Sequence, residues 1–181
     1  MNKWDDGLRA RPGFARASPG KLLRVPAALL FLTVGGGSAL ATPQIDAAAP
    51  ALVLSELGGQ SFDLSKLRGK VVLVTYWATW CAPCKKEMPI LDSFYRRYHE
   101  RGLEVIGISA DRPQDFAKMR KMSNSLAYPT ATMNQITDNG FGPPEGFPLT
   151  YVVDGNGVIR DKFIDVREQL LRDVVLPLLP H

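Results

Sequence analysis

Residues 71–77, Val-Val-Leu-Val-Thr-Tyr-Trp, form an apolar run rich in β-branched side chains. A strand with one wet face alternates apolar and polar residues, whereas an unbroken run fits a strand buried on both faces. Such a strand needs a layer above it and a layer below it, which points to the sheet of an α/β sandwich. Residues 103–109, Leu-Glu-Val-Ile-Gly-Ile-Ser, read as a second strand of this kind. Between them, Met88, Leu91, Tyr95 and Tyr98 recur at near-helical spacing, and Lys85, Lys86, Arg96 and Arg97 fall elsewhere. That pattern predicts a helix over 81–100, ended by Gly102.

Residues 51–70 suggest a short hairpin turning at Gly58-Gly59, with Leu64 and Leu67 flanking a helical turn. Residues 112–123 read as a helix with Pro113 in its first turn, and its Phe116, Met119 and Met122 fit a core face. Tyr-Pro-Thr-Ala-Thr-Met (128–133) is a weaker extended piece. A strand is expected at 149–154, a tight Gly-Asn-Gly turn at 155–157 and its hairpin partner at 158–164. Asp154 belongs to that turn and not to a phosphate loop. A closing amphipathic helix is expected over 166–179. The element order implies a parallel sheet extended by an antiparallel hairpin.

The net charge of +4 is unevenly placed. Residues 1–41 hold six basic residues, Lys3, Arg9, Arg11, Arg16, Lys21 and Arg24, against Asp5 and Asp6. The remaining 16 basic and 16 acidic residues cancel, so the folded part has no basic excess with which to attract nucleic acid. The segment 1–41 reads as an export signal: a basic region ending at Arg24, an apolar stretch from Val25 to Leu40, and Ala39-Leu40-Ala41 as a cleavage site before Thr42. The apolar stretch is short for a membrane span and is interrupted by Gly35-Gly36-Gly37. The alternative is an uncleaved anchor. No Arg-Arg pair favours the twin-arginine route. Either form places the domain in the periplasm or cell envelope. Residues 42–50, rich in Ala and Pro, read as a linker, and 51–181 as the folded domain.

The chain has two cysteines, Cys81 and Cys84, in Trp-Cys-Ala-Pro-Cys-Lys-Lys-Glu-Met-Pro. A structural zinc site needs about four ligands, and the other candidates are only His99 and His181. A haem tether needs histidine after the second cysteine, where Lys85 stands. A disulfide across two residues closes so small a loop that it stabilises little. A redox dithiol remains, acting without a bound cofactor. At the junction of strand and helix, Cys81 lies at the helix N-terminus, where unpaired N–H groups favour a thiolate. Cys84 lies one turn further in, able to resolve a mixed disulfide. Pro83 stiffens the first turn without removing a useful hydrogen bond.

With its preceding strand, this Trp-Cys-x-Pro-Cys segment resembles the thioredoxin superfamily. More narrowly it is similar to the exported TlpA/ResA-like thiol:disulfide oxidoreductases, over about residues 51–179. The resemblance implies a three-layer sandwich, with a mixed central sheet, helices on both faces and an extra N-terminal hairpin. It matches Gly-Phe-Pro-Leu-Thr-Tyr at 146–151 to the segment whose proline follows a cis bond and faces the cysteines. Phe147 and Pro148 then border the substrate groove with Trp80, Ala82 and Pro83. Pro89 occupies the position of a helix proline. Glu87, three residues after Cys84, matches the glutamate of the ResA-like branch and would take the proton of the resolving thiol. Partial burial would raise its pKa toward the working range; a solvated helix glutamate is the alternative. Trp77 fits the core and Trp80 a partly exposed place at the site.

The resemblance further implies protein thiol or disulfide substrates, a membrane electron donor and a monomeric protein. Apocytochrome c cysteines and copper-site thiols are the substrate classes implied. The sequence departs from the family pattern at Thr75-Tyr76, at Leu149, and at the Gly- and Pro-rich 134–146, which together with Leu149 would border the groove. A peroxidase of the Pro-x-x-x-Thr-x-x-Cys type is disfavoured, because Val74 and Ala78 occupy the two key positions. A copper carrier lacks a nearby ligand, His99 being about four turns away along the helix. A disulfide-forming oxidase of the same fold differs only in redox poise.

Overall fold

The computed structural model describes residues 43–180. The segment read as an export signal lies outside them. Two sheets organise the fold. The main one has five strands in the order β5-β4-β3-β7-β8: β3 (Val71–Trp77), β4 (Leu103–Ser109), β5 (Thr130–Thr132), β7 (Leu149–Val153) and β8 (Ile159–Phe163). β3, β4 and β5 run parallel, and β7 and β8 are antiparallel additions. The smaller sheet has the order β2-β1-β6, from β1 (Leu52–Ser55), β2 (Ser61–Asp63) and β6 (Ile136–Asn139). The helices are α1 (Ala82–Tyr98), α2 (Phe116–Ser123) and α3 (Glu168–Val174).

Every residue of β3 is buried, as its composition requires. Side chains alternate across the strand. Val72, Val74 and Tyr76 enter one core with Leu52 and Leu54 of β1, Phe62, Leu64 and Phe141. Val71 and Leu73 enter a second core with Leu91 and Phe94 of α1 and Leu171 of α3. The small sheet therefore covers one face of β3, and α1 with α3 covers the other. Each fully buried aliphatic side chain contributes about 1.5–3 kcal/mol. A third cluster, at the C-terminal end of β3, joins Trp77, Ala78, Met88 and Met119 of α2 to the two cysteines.

Several boundaries follow local chemistry. Asp63 caps the helical turn at Leu64–Leu67 by accepting from the Ser65 backbone N–H at 3.0 Å. α1 gives way to a tight turn at His99–Arg101, then Gly102 at φ 88°, which favours glycine. The expected closing helix is shorter: α3 ends at Val174, and Pro177 lies in a separate turn at Leu176–Leu178. The Gly-Asn-Gly segment is a turn, with Asp154 accepting from the Asn156 and Val158 N–H groups at 2.9 Å.

Three expectations need correction. Part of the segment read as a linker is bound down. Asp46 N–H donates to the Ile159 carbonyl at 2.8 Å, Ala49 N–H to Gly157 at 2.8 Å, and Ile159 N–H to Ala47 at 2.9 Å. This backbone pairing covers the edge of β8 next to its turn. The Gly- and Pro-rich 134–146 contains β6, which pairs with β1 and so belongs to the small sheet. Leu149 faces no groove; it is 2% exposed and lies in the first core.

Candidate active site

Strand β3 delivers the chain to the cysteines, and strand β4 fixes where it turns. Trp77 pairs with Ser109 at the ends of the two parallel strands, and Ala110 N–H donates to the Trp77 carbonyl at 2.9 Å. One residue on, Asp111 is buried and ties down the turn. It accepts from the Thr79 backbone N–H at 3.1 and 3.0 Å, from the Thr79 hydroxyl at 2.7 Å and from the Ser109 hydroxyl at 2.8 Å. The sequence reading missed Asp111. Its signal was positional: in a parallel pair, the residues after β4 lie beside the residues after β3, and ligands meet such sheets at the carboxyl ends of the strands.

Cys81 is the N-cap of α1, and Pro83 sits in the first turn. Cys81 and Cys84 are joined as a disulfide with their Cα atoms 5.3 Å apart. Cys81 Sγ accepts from the Cys84 backbone N–H at 3.2 Å, so a helix-terminal donor already points at the sulfur that would carry negative charge. Cys81 is 5% exposed and Cys84 1%. Ala82, Pro83, Lys85 and Lys86 are exposed, which leaves both lysine charges in water. Pro89 lies within α1, as expected.

Outside the bridge stands an aromatic wall. Trp80 is 59% exposed and meets Phe147 edge to face, with ring centroids 5.4 Å apart. A groove runs from these two rings along Ala110, Arg112, Gln114 and Asp115. The Phe147-Pro148 peptide bond is cis, and Pro148 is buried. Trp77, three residues before Trp80, is 1% exposed and belongs to the core, as its place in β3 requires.

Inside the bridge lies a narrow space lined by Cys84, Glu87, Pro148, Thr75, Trp77 and Tyr128, among others. Glu87 is 5% exposed, not a solvated helix residue. Desolvation raises its pKa, the Val166 backbone N–H acts the other way, and the Asp165 charge raises it further. Thr75 cannot act as a base; its hydroxyl accepts from Thr150 at 2.9 Å. Among the described residues, no group of three or more His, Cys, Asp and Glu is placed to hold a metal ion. His99 instead bonds the Leu103 carbonyl at 3.1 Å and faces Glu104 at 3.5 Å. The structure places Cys81, Cys84 and Glu87 along one helix, with Trp80, Ala82, Pro83, Phe147 and Pro148 around its start, while Leu149 and His99 lie elsewhere.

A disulfide at a helix N-terminus, backed by a buried carboxyl, is suited to thiol exchange. Comparison with known proteins agrees. The AhpC/TSA family profile matches residues 45–162. The chain belongs to the AhpC/TSA family. The thiol-disulfide oxidoreductase ResA of Bacillus cereus is 33% identical over 129 residues, covering 70% of this chain and 75% of the relative. The thioredoxin domain of a Bacteroides vulgatus thiol-disulfide oxidoreductase superposes with a TM-score of 0.61 at 26% identity. That match covers 77% of this chain and 100% of the other. A secreted thiol-disulfide isomerase of Corynebacterium glutamicum gives 0.60 at 28% identity, covering 72% and 84%. The protein is a ResA-like, thioredoxin-fold protein disulfide oxidoreductase.

Proposed function

We propose that the protein reduces disulfides of protein substrates in an extracytoplasmic compartment, using the Cys81–Cys84 dithiol. The observation that carries this reading is the burial of Glu87 against the space behind Cys84. Cys81 thiolate attacks one sulfur of the substrate disulfide. The substrate S–S bond breaks, a Cys81–substrate disulfide forms, and one substrate thiolate leaves. Glu87 then takes the proton of the Cys84 thiol. The Cys84 thiolate attacks Cys81 Sγ, the internal disulfide forms and the second substrate thiolate leaves. Two electrons pass from the dithiol to the substrate. The exposed Trp80 and the half-buried Phe147 receive the peptide flanking the substrate disulfide, and Ala82 and Pro83 keep the approach to Cys81 low.

Export is supported by the basic-then-apolar N-terminal segment and by the secreted character of the Corynebacterium glutamicum relative. Among the described residues no helix is long and apolar enough to cross a membrane. A membrane thiol carrier returns the electrons. Apocytochrome c cysteines and copper-site thiols are the substrate classes put forward.

The test is the reduction potential of the cysteine pair, by equilibration with glutathione or dithiothreitol. A value of about −200 mV or lower supports a reductase, and a value near −120 mV would mark a disulfide-forming oxidant and overturn the direction proposed.

A further inference from the structure

The space behind Cys84 holds more than Glu87. Among the described residues, four buried side-chain polar atoms lack a hydrogen-bond partner, and two of them, the Tyr128 hydroxyl and Trp77 Nε1, belong to residues lining this space. Native proteins leave few buried donors unpaired, and each such donor calls for an explanation. Tyr128 is 2% exposed, which removes its hydroxyl from bulk water. Its ring is fixed by close packing: a Cβ at Gly107 would come within 3.0 Å of it, and the Tyr95 ring meets it edge to face with centroids 6.3 Å apart. The phenol cannot readily swing away to find another partner.

The two charges felt by the Tyr128 phenol are the carboxylates of Asp92 and Glu87. Asp92 is already engaged, by Arg96 at 2.8 Å and by the Ala127 backbone N–H. Glu87 is faced by Asp165, by the Val166 N–H and by Cys84 across the shared space. Burial and these carboxylates push the Tyr128 pKa up, so the phenol keeps its proton and remains a donor.

We propose that Tyr128 is a positioning residue for Glu87: in the reduced protein its hydroxyl donates to the Glu87 carboxylate that faces the Cys84 thiol. The proposal rests on Glu87 serving as the base of the resolving step. With the disulfide closed, no thiol proton is there to be taken and the phenol stands idle, as observed. Once Cys84 is a thiol, a buried carboxylate must be ready beside it, and a buried charge needs donors. Beside the Val166 N–H, and of the two unpaired donors whose residues line the space, the phenol is the one that the Glu87 charge reaches. It holds the carboxylate in place and limits how far burial can raise its pKa.

The test uses the full chain, reduced and oxidised, with Tyr128→Phe, Glu87→Gln and the double variant. Tyr128→Phe removes a hydroxyl that is unpaired in the oxidised protein, so oxidised stability is expected to be unchanged or slightly raised. In the reduced protein, the Glu87 carboxyl titrated by carbon-13 NMR is expected to shift upward by about one pH unit in Tyr128→Phe. Equilibration with glutathione is expected to favour the oxidised form about tenfold more than in the unaltered protein, about 30 mV toward a more negative potential. In the Glu87→Gln background, Tyr128→Phe is expected to leave the pH profile of substrate reduction unchanged. Equal Glu87 midpoints with and without the hydroxyl overturn the Tyr128 proposal and leave the role of Glu87 intact. A Glu87→Gln variant with an unaltered pH profile overturns the role of Glu87 itself, and the Tyr128 proposal with it.

Discussion

The two sides of the Cys81–Cys84 bridge differ in what they offer to solvent. On the outer side, Trp80 is 59% exposed, Ala82 and Pro83 are open, and the groove continues over Arg112, Gln114 and Asp115. On the inner side, Cys84, Glu87, Trp77 and Tyr128 are all 5% exposed or less. The outer side can vary with little cost to the fold, because few of its groups are packed. The inner side cannot, because each of its groups sits where two cores and α1 converge. In the proposed mechanism, substrate recognition therefore falls to the outer side and proton handling to the inner one. The two meet at the helix N-terminus, where Cys81 is 5% exposed and Cys84 1%.

The most decisive break of this division is Cys84→Ser. With the inner sulfur removed, the mixed disulfide on Cys81 has no resolving thiol. Multiple turnover is expected to disappear, and mass spectrometry should find a Cys81–substrate adduct that persists. Rapid release of substrate from this variant would show that the inner cysteine is dispensable.

Glu87→Gln is next in size. Loss of a general base typically slows the affected step by about 10²-fold or more, so resolution of the mixed disulfide should slow by roughly that factor at neutral pH. Stability should move the other way. Burial raises the folded-state pKa of Glu87 above its unfolded value. The folded state therefore binds the proton more tightly, and the stability tied to that proton is lost as pH rises from the ordinary carboxylate range through the raised value. Glutamine carries no such penalty. Chemical denaturation should find Glu87→Gln more stable than the unaltered protein at neutral pH, with the gap closing below about pH 4.

The outer and inner sides were unequally legible in the sequence. The strands β3 and β4 announced themselves because burial on both faces leaves a run of apolar residues with no alternation. Cys81 and Cys84 were legible from their spacing at the start of one helix, and Glu87 from its match to the glutamate of the ResA-like branch. β6 was not, since Ile136, Thr137, Asp138 and Asn139 are half-buried or exposed and carry no apolar run. The pairing of Asp46–Ala49 beside β8 uses backbone groups, which every sequence possesses. Tyr128 and Asp111 reach the site from other elements, and only the packing of α1 against β4 and its flanking segments brings them there. The sequence therefore displayed the chemistry carried by one helix and concealed the groups that hold that chemistry in position.

Asp111→Ala tests that concealed support. The change removes the acceptor for the Thr79 N–H, the Thr79 hydroxyl and the Ser109 hydroxyl, all buried. Each orphaned buried donor costs about 1–3 kcal/mol, partly relieved where a hydroxyl can rotate to another acceptor. A loss of about 2 kcal/mol or more is expected in denaturant unfolding, with a slower reaction at Cys81 because the turn carrying Trp80 is released. A variant as stable as the unaltered protein would mean that the turn is held by the strand ends alone.

The smallest effect on stability, and the most specific on recognition, is expected from Trp80→Ala. The side chain is mostly in water, and its edge-to-face contact with Phe147 is the one ring contact that it makes among the described residues. Such a contact is worth about 0.5–1.5 kcal/mol, and surface substitutions commonly stay within about 0.5 kcal/mol, so unfolding should change little. Exposed aromatics that anchor a partner lose far more on truncation. KM for a protein disulfide substrate should rise about tenfold, equivalent to about 1.4 kcal/mol of binding. Reactivity toward a small disulfide, which has no flanking peptide to rest on the ring, should stay close to that of the unaltered protein. If both substrates slow equally, Trp80 supports the geometry of Cys81 and the outer side is not a separate recognition surface. If only the protein substrate slows, recognition and proton handling are separable by a single substitution three residues from the buried Trp77.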